Sequence, residues 1–312
     1  MKNEPTKSIS TRKHRKIKRE WLACYGFIAP LVIGIIVFSV FPLLYALGMS
    51  FTDWDGLGSA TFVGLENFKE LFKDKSVLCE IRNTFMYALM VVPTTIILAL
   101  ILANLLNAKI RGKGFFRTVY YLPNVTMAAA VAIVWRWLFN SDFGLINQVI
   151  KWLGLPVVRW ISDPNVALIS ISIVSIWKNL GYAAMVILAG LQGVPQGLYE
   201  AAKMDGANSW NIMWNITVPM VTPTIFFVLV TTLINAFKEF DIIYIFMGNS
   251  GATQSGPLAD AIRTMVGGAY YRGFTLLKMG YASAEATVLF VIILIVTIIQ
   301  FKLQKRWVNY DT

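Results

Sequence analysis

"TFMYALMVVPTTIILALILANLL", residues 84–106, contains no charged side chain. A helix needs about 20 such residues, each rising about 1.5 Å, to cross a hydrocarbon core roughly 30 Å thick. No water reaches the backbone there, so every amide must find its partner within the segment, and the run predicts a helix. It is continuously apolar, whereas a membrane β-strand would alternate, so a β-barrel is excluded. Working outward, the same reading holds for residues 25–49, 119–139, 166–191, 220–246 and 282–301. The fold class expected is all-α, a polytopic membrane protein with six transmembrane helices.

Composition agrees. Of 312 residues, 56% are hydrophobic and 14% charged, against about 25% charged in a soluble protein. Residues 1–20 form a basic tail, and 21–312 read as one transmembrane domain without a linker or repeat. The run at 25–49 is too long for the apolar part of a signal peptide, so it is expected to remain as the first helix. Alternate loops hold sixteen lysines and arginines on the side of both termini, against ten on the other, where nine acidic residues lie. Positive charge is retained in the cytoplasm, so both termini are expected there. Much of the net charge of +11 sits in the tail, where it suits anionic lipid headgroups better than nucleic acid.

Cys24 and Cys79 fall toward opposite faces of the bilayer, so no disulfide is expected. His14 is the one histidine, and no cluster of metal-ligand spacing exists. A nucleophile with a positioned base cannot be assembled, nor is there a G-x-x-x-x-G-K-[ST] phosphate loop, so no catalytic role is expected. If transport here uses ATP, another subunit must bind the ATP and its Mg. Outside the membrane, 65–72 reads as a short amphipathic helix with Leu65, Phe68, Leu71 and Phe72 on one face. The long Gly-rich loop 248–280 offers a surface for a partner.

Ionisable residues inside lipid usually mark a pathway. Lys178 lies near mid-membrane in the fourth run, with Trp177, Asn179 and Tyr182 as neighbours of the kind that stack on and hydrogen-bond a sugar ring. The alternative is an interhelical polar pair. Lys238, Glu239 and Asp241 lie near the outer end of the fifth run, where snorkelling or a local ion pair is the simpler role, as for Arg136 and Glu285. Asn235, a turn deeper, is a path candidate. Pro30, Pro42, Pro123 and Pro223 are expected to kink their helices.

Between the fourth and fifth runs, residues 192–218 face the cytoplasm. Pro195 suits the first turn of a short helix in which Leu198, Ala201, Ala202 and Asp205 share a face and Glu200 sits near the positive helix end. The alanines leave a narrow face able to enter a groove on another protein. Gly206 ends this helix, and Asn208 or Ser209 caps a second one, with Trp210, Ile212 and Met213, that stops before Pro219.

The run E200-A-A-K-M-D-G206, followed by Ile216 and Val218-Pro219, resembles the "EAA" signature of binding-protein-dependent ABC importer permeases, with Val218 where the family has Leu. "RGKGFFRTVYYLPNVT", "IVWRWLFNSDFGLIN", "ILAGLQGVPQGLYEAAKMDGA" and "FKEFDIIYIF" are similar to the carbohydrate-uptake branch, the maltose and glycerol-phosphate type. The loop 248–280 lacks that branch's usual G-G-G-P run. What the resemblance implies is a bacterial inner-membrane heterodimer of two homologous permeases, two ATP-binding subunits and an external solute-binding protein that delivers a sugar. Glu200, Ala201, Ala202 and Gly206, with Asp205 on the same face, would form the coupling helix seated in the ATPase. The other readings are a permease for a sugar phosphate, polyamine or amino acid, or an ion-coupled secondary transporter.

Overall fold

The computed structural model describes residues 21, 24–108, 111–248 and 256–309. The basic tail with His14 and residues 249–255 of the third loop lie outside the described residues. Helix α1 (Cys24–Met49) leads through a small hairpin, β1 (Thr52–Asp53) and β2 (Thr61–Phe62), and the short α2 (Glu66–Leu71) into α3 (Lys75–Asn107). The hairpin is antiparallel, with Thr52 opposite Phe62. Next come α4 (Lys113–Val125), α5 (Ala128–Leu138), the short α6 (Leu145–Trp152) and α7 (Pro164–Gln192). A helical hairpin of α8 (Gln196–Met204) and α9 (Ser209–Ile212) continues into α10 (Val218–Phe237) and α11 (Asp241–Met247). Helices α12 (Pro257–Ile262), α13 (Met265–Tyr270) and α14 (Met279–Trp307) complete the described chain.

Among the described residues, five helical runs are long and apolar enough to cross a membrane: α1, α3, α7, Ser209–Met247 and α14. The third apolar run is different. Instead of one helix over 119–139, α4 and α5 meet at a bend of 98°. Pro123 brings no amide hydrogen, and Thr126 turns to extended backbone while its Oγ1 donates to the Leu122 carbonyl at 2.9 Å. Chain direction therefore changes where the ladder has already lost a bond.

Helices α3 and α7 form the central pair. Small side chains let them approach: Ala99 and Ala103 on α3, and Ala183 and Ala184 on α7, are buried in one apolar cluster with Ile187 and Val228. Gly181 of α7 admits α4, since a Cβ there would strike the Tyr120 carbonyl. Toward the other end Tyr87 donates to Ser175 Oγ at 2.6 Å, satisfying both hydroxyl groups inside the second cluster, around Ile171, Phe237 and Phe246. Helix α1 buries none of its residues against this chain.

Residues 50–74, 139–163, 238–248 and 256–278 gather at one end of the bundle, the loop end. There the Gly280 amide donates to Trp54 O at 3.0 Å, and Arg136 Nη1 donates to Ile245 O at 3.2 Å. Helices α8 and α9 lie at the opposite, hairpin end. The 65–72 segment buries Asn67 and Leu71, while Leu65 and Phe72 are exposed. Asn67 turns inward because its Nδ2 donates to Ser50 O and Thr52 O. Cys24 and Cys79 are free and exposed.

The third loop, expected as a Gly-rich surface, is largely packed into the loop end over 259–273, where Ile262, Arg263, Met265 and Arg272 are buried, and is exposed over 274–278. What draws it in is a polar stripe on α3. Ser76, Glu80, Asn83 and Thr84 recur at helical spacing. Asn83 Nδ2 donates to Asp260 O and Arg263 O, and Thr84 Oγ1 accepts from the Met265 amide. Arg272 Nη1 lies 2.8 Å from Glu80 Oε2 and 2.9 Å from Glu285 Oε2, with Arg263 3.8 Å from Glu80 and Asp74 3.7 Å from Arg272. Glu285 is thus enclosed at 0% exposure instead of lying at the interface, and Glu80 belongs to α3 rather than to the first outer loop. Burial opposes the Arg272 charge, but its hydrogen bond to the Glu80 carboxylate and the charges of Glu285, Glu80 and Asp74 outweigh it and hold the guanidinium above its ordinary pKa. Removing one partner from such a group is costly. Glu80→Ala is expected to lose about 3–5 kcal/mol, and Glu80→Gln, which keeps an acceptor, less; thermal unfolding of the purified protein measures both.

Candidate functional site

The hairpin end is built from two helix caps. Helix α8 starts after Pro195 and ends with Gly206 at φ +77°, a left-handed conformation that glycine adopts without strain. The Ala207 amide donates to Ala202 O at 2.9 Å, and the Gly206 amide donates to Lys203 O at 3.1 Å. These are the two bonds of a Schellman C-cap. Two residues on, Asn208 Oδ1 accepts from the Asn211 amide at 2.8 Å and starts α9. The turn at 206–208 is thus pinned by a cap on each side, which sets the angle between the two helices locally.

Several sequence expectations change here. Helix α8 begins at Gln196, which puts Glu200 in its second turn, beyond the strongest field of the helix N-terminus. The alanine pair divides: Ala202 is buried, with Tyr199 packed on the α3–α7–α10 cluster, while Ala201 is exposed beside Glu200. Asp205 and Gly206 are exposed, as is Met204 at 88%. The small, uncovered face therefore carries one alanine, the other is buried, and Tyr199 ties the helix to the bundle. Nor does the second helix stop before Pro219. It runs through a π-helical turn, Met213–Thr217, directly into α10, where Pro219 occupies the first turn and needs no amide partner. Trp210 and Trp214, both exposed, pack edge to face on it, with centroids 5.6 Å apart.

Of the path candidates, Trp177 meets Trp135 of α5, centroids 5.4 Å apart, and both line a recess of about 290 Å³ with Pro123, Thr126 and Leu122 at the α4–α5 bend. Lys178 is half-buried and lies within electrostatic reach of Glu239, which also accepts from the Ile242 amide at 3.3 Å. That brings the fourth and fifth runs together through opposite charges at the break between α10 and α11. Asn179 is committed to its own helix, its Nδ2 donating to Ser175 O at 2.9 Å. Tyr182 is half-buried and Asn235 exposed. Among the described residues no group of three or more His, Cys, Asp or Glu side chains could hold a metal ion. Trp135 and the Arg272 cluster escaped the sequence reading; the polar stripe on α3 was the available signal for the second.

Residues 56–309 match the family model of the binding-protein-dependent transport system inner membrane component. The chain belongs to this family. It is therefore a multi-pass ABC transporter permease, the membrane component rather than a catalytic one. A probable ABC transporter permease protein of Bacillus subtilis (strain 168), YesP, is 37% identical over 96% of both chains. The sn-glycerol-3-phosphate transport system permease protein UgpA of Agrobacterium fabrum is 33% identical over 92% of this chain and 96% of its own. A probable starch degradation products transport system permease protein, AmyD, of Thermoanaerobacterium thermosulfurigenes is 32% identical, covering 95% and 99%. The same fold occurs in the crystal structure of a bacterial alginate ABC transporter in complex with an alginate pentasaccharide-bound periplasmic protein, at TM-score 0.79 and 24% identity, covering 96% of this chain and 99% of that one.

For this permease the cap geometry makes a direct prediction. Gly206→Val forces a β-branched residue into left-handed backbone and is expected to cost about 1–2 kcal/mol, while Asn208→Ala removes the α9 cap at about 1 kcal/mol. Both are read by thermal unfolding, and the Gly206 change should also loosen the hairpin, seen as faster amide exchange at 207–212.

Proposed function

We propose that this permease carries a sugar or oligosaccharide across the bacterial inner membrane, driven by ATP hydrolysed in partner subunits. The observation that carries this reading is the capped hairpin at 196–212, which holds Glu200, Ala201 and Gly206 exposed on a turn of fixed geometry. The chain has no phosphate loop of its own, so ATP and Mg belong to two ATP-binding subunits, with α8 as the element that takes up their motion. A second, homologous permease completes the path, and an external solute-binding protein delivers cargo at the loop end; both termini then lie in the cytoplasm. ATP binding drives the change because it favours the closed pair of ATPases over the open one.

A saccharide cargo is supported by the starch-product and alginate systems among its relatives and by the paired tryptophans beside the α4–α5 bend. The glycerol-phosphate relative keeps a phosphate ester as the second reading. Lys178 alone would favour an anion, but the Glu239 carboxyl lies within its electrostatic reach, so the lysine is not an isolated positive charge and an uncharged sugar stays the first reading.

Two experiments test this. Glu200→Lys or Gly206→Pro should abolish co-purification of the ATP-binding subunits while the permease still inserts, and full retention of both ATPase binding and uptake would refute the coupling role. For cargo, the solute-binding protein that co-purifies should gain thermal stability with mono-, di- or oligosaccharides. A shift with amino acids or polyamines alone overturns the sugar assignment.

A further inference from the structure

Helix α4 packs on α7 along one side, with its backbone at Tyr120–Tyr121 lying on Gly181, and leaves its other side open. On that side Arg117, Thr118, Tyr121, Leu122 and Val125, with Met185 of α7, line a groove of about 400 Å³. The groove and the tryptophan recess at the α4–α5 bend share Leu122, so the two adjoin end to end along α4. One terminates at Trp135 and Trp177, toward mid-bundle; the other reaches Arg117, one turn from the start of α4 at the hairpin end.

Arg117 sets the character of this groove. It is partly buried, and its Nε is enclosed with no hydrogen-bond acceptor among the described residues. An arginine facing hydrocarbon without a partner is strongly disfavoured. Beside water or a hydroxyl-rich solute it is not, because the fork of donors finds acceptors there. Tyr121 adds an amphipathic ring with a hydroxyl, and Thr118 returns its own hydroxyl to Gly114 O at 3.0 Å, so the groove's donors are the guanidinium and the Tyr121 hydroxyl. Leu122 and Val125 give an apolar floor, the combination of few placed polar groups on a mainly apolar wall that suits small-molecule sites.

The geometry points to this groove as the inner half of the solute path: cargo leaving the Trp135–Trp177 recess passes Leu122 and is handed along α4 to Arg117, which holds its hydroxyl oxygens before release. This rests on the permease reading above but names residues that reading does not use. It requires the groove to hold water, not acyl chains and not a helix of the partner permease.

The test is thiol accessibility in the full chain with Cys24 and Cys79 replaced by serine. Single cysteines at Thr118, Leu122 and Val125 are exposed, in inverted membrane vesicles, to the charged reagent sulfonatoethyl methanethiosulfonate, with Phe116→Cys, which lines neither recess, as the comparison. All three groove positions should react and Phe116 should not. No reaction at the three groove positions means that lipid fills the groove and overturns the proposal; so does reaction in the isolated chain that disappears once the other subunits are co-expressed, which assigns the groove to subunit packing. In the assembled transporter, Arg117→Ala should lower uptake of the saccharide identified with the binding protein about tenfold, with Arg117→Lys recovering most of it and ATPase co-purification unchanged. Wild-type uptake in Arg117→Ala also refutes the role. Labelling needs no ATPase, so failure of the coupling experiment and failure of this one are separate results.

Discussion

One guanidinium organises the loop end. Arg272 is shared between Glu80 on α3 and Glu285 on α14, and through them it fixes the segment that carries α12 and α13. That placement delivers Ile262 and Met265 to the apolar cluster containing Phe237 and Phe246. Burying such charges is tolerable only because of where they lie. Helix α3 has 33 residues, about 50 Å at 1.5 Å per residue, against a hydrocarbon core of about 30 Å. Its first turns stand outside the core, where ion pairs are less strongly penalised.

The two ends of the molecule are joined by the α3–α7 pair, and α7 links the elements proposed to serve transport. Within one helix it presents Trp177 to the bend, sets Lys178 opposite Glu239, and admits α4 at Gly181. It then ends at the turn that starts α8. A displacement of α8 would therefore act on a helix that touches both recesses along α4, and Tyr199, packed on the bundle, ties α8 to it.

The spans were legible because their signal is compositional: an uncharged run such as 84–106 has one stable solution in lipid. The turn at Gly206 was legible too, since a glycine followed by Asn208 is the chemistry that a Schellman cap and a new N-cap demand. Sequence distance hid the rest. Glu80 and Arg272 are 192 residues apart, and nothing local to Glu80 distinguishes it from a loop carboxylate. The split of Ala201 from Ala202 depends on the angle at which α8 leaves the bundle, which local pattern does not encode. The bend at Thr126 was announced only by Pro123, and a proline alone does not say whether a helix kinks slightly or turns through nearly a right angle.

Helix α1 stands apart from all of this. Phe27 is 86% and Phe38 81% exposed, and no residue of the helix is buried, its contacts with α14 and Trp54 lying in its last turns. Its order then derives from the lipid and from neighbours it finds there, whereas the α3–α7 pair carries its own packing. Transfer into a harsh detergent should strip the first helix of its support well before the bundle core loosens, so a preparation can keep its core fold while losing the surface through which α1 would join an assembly.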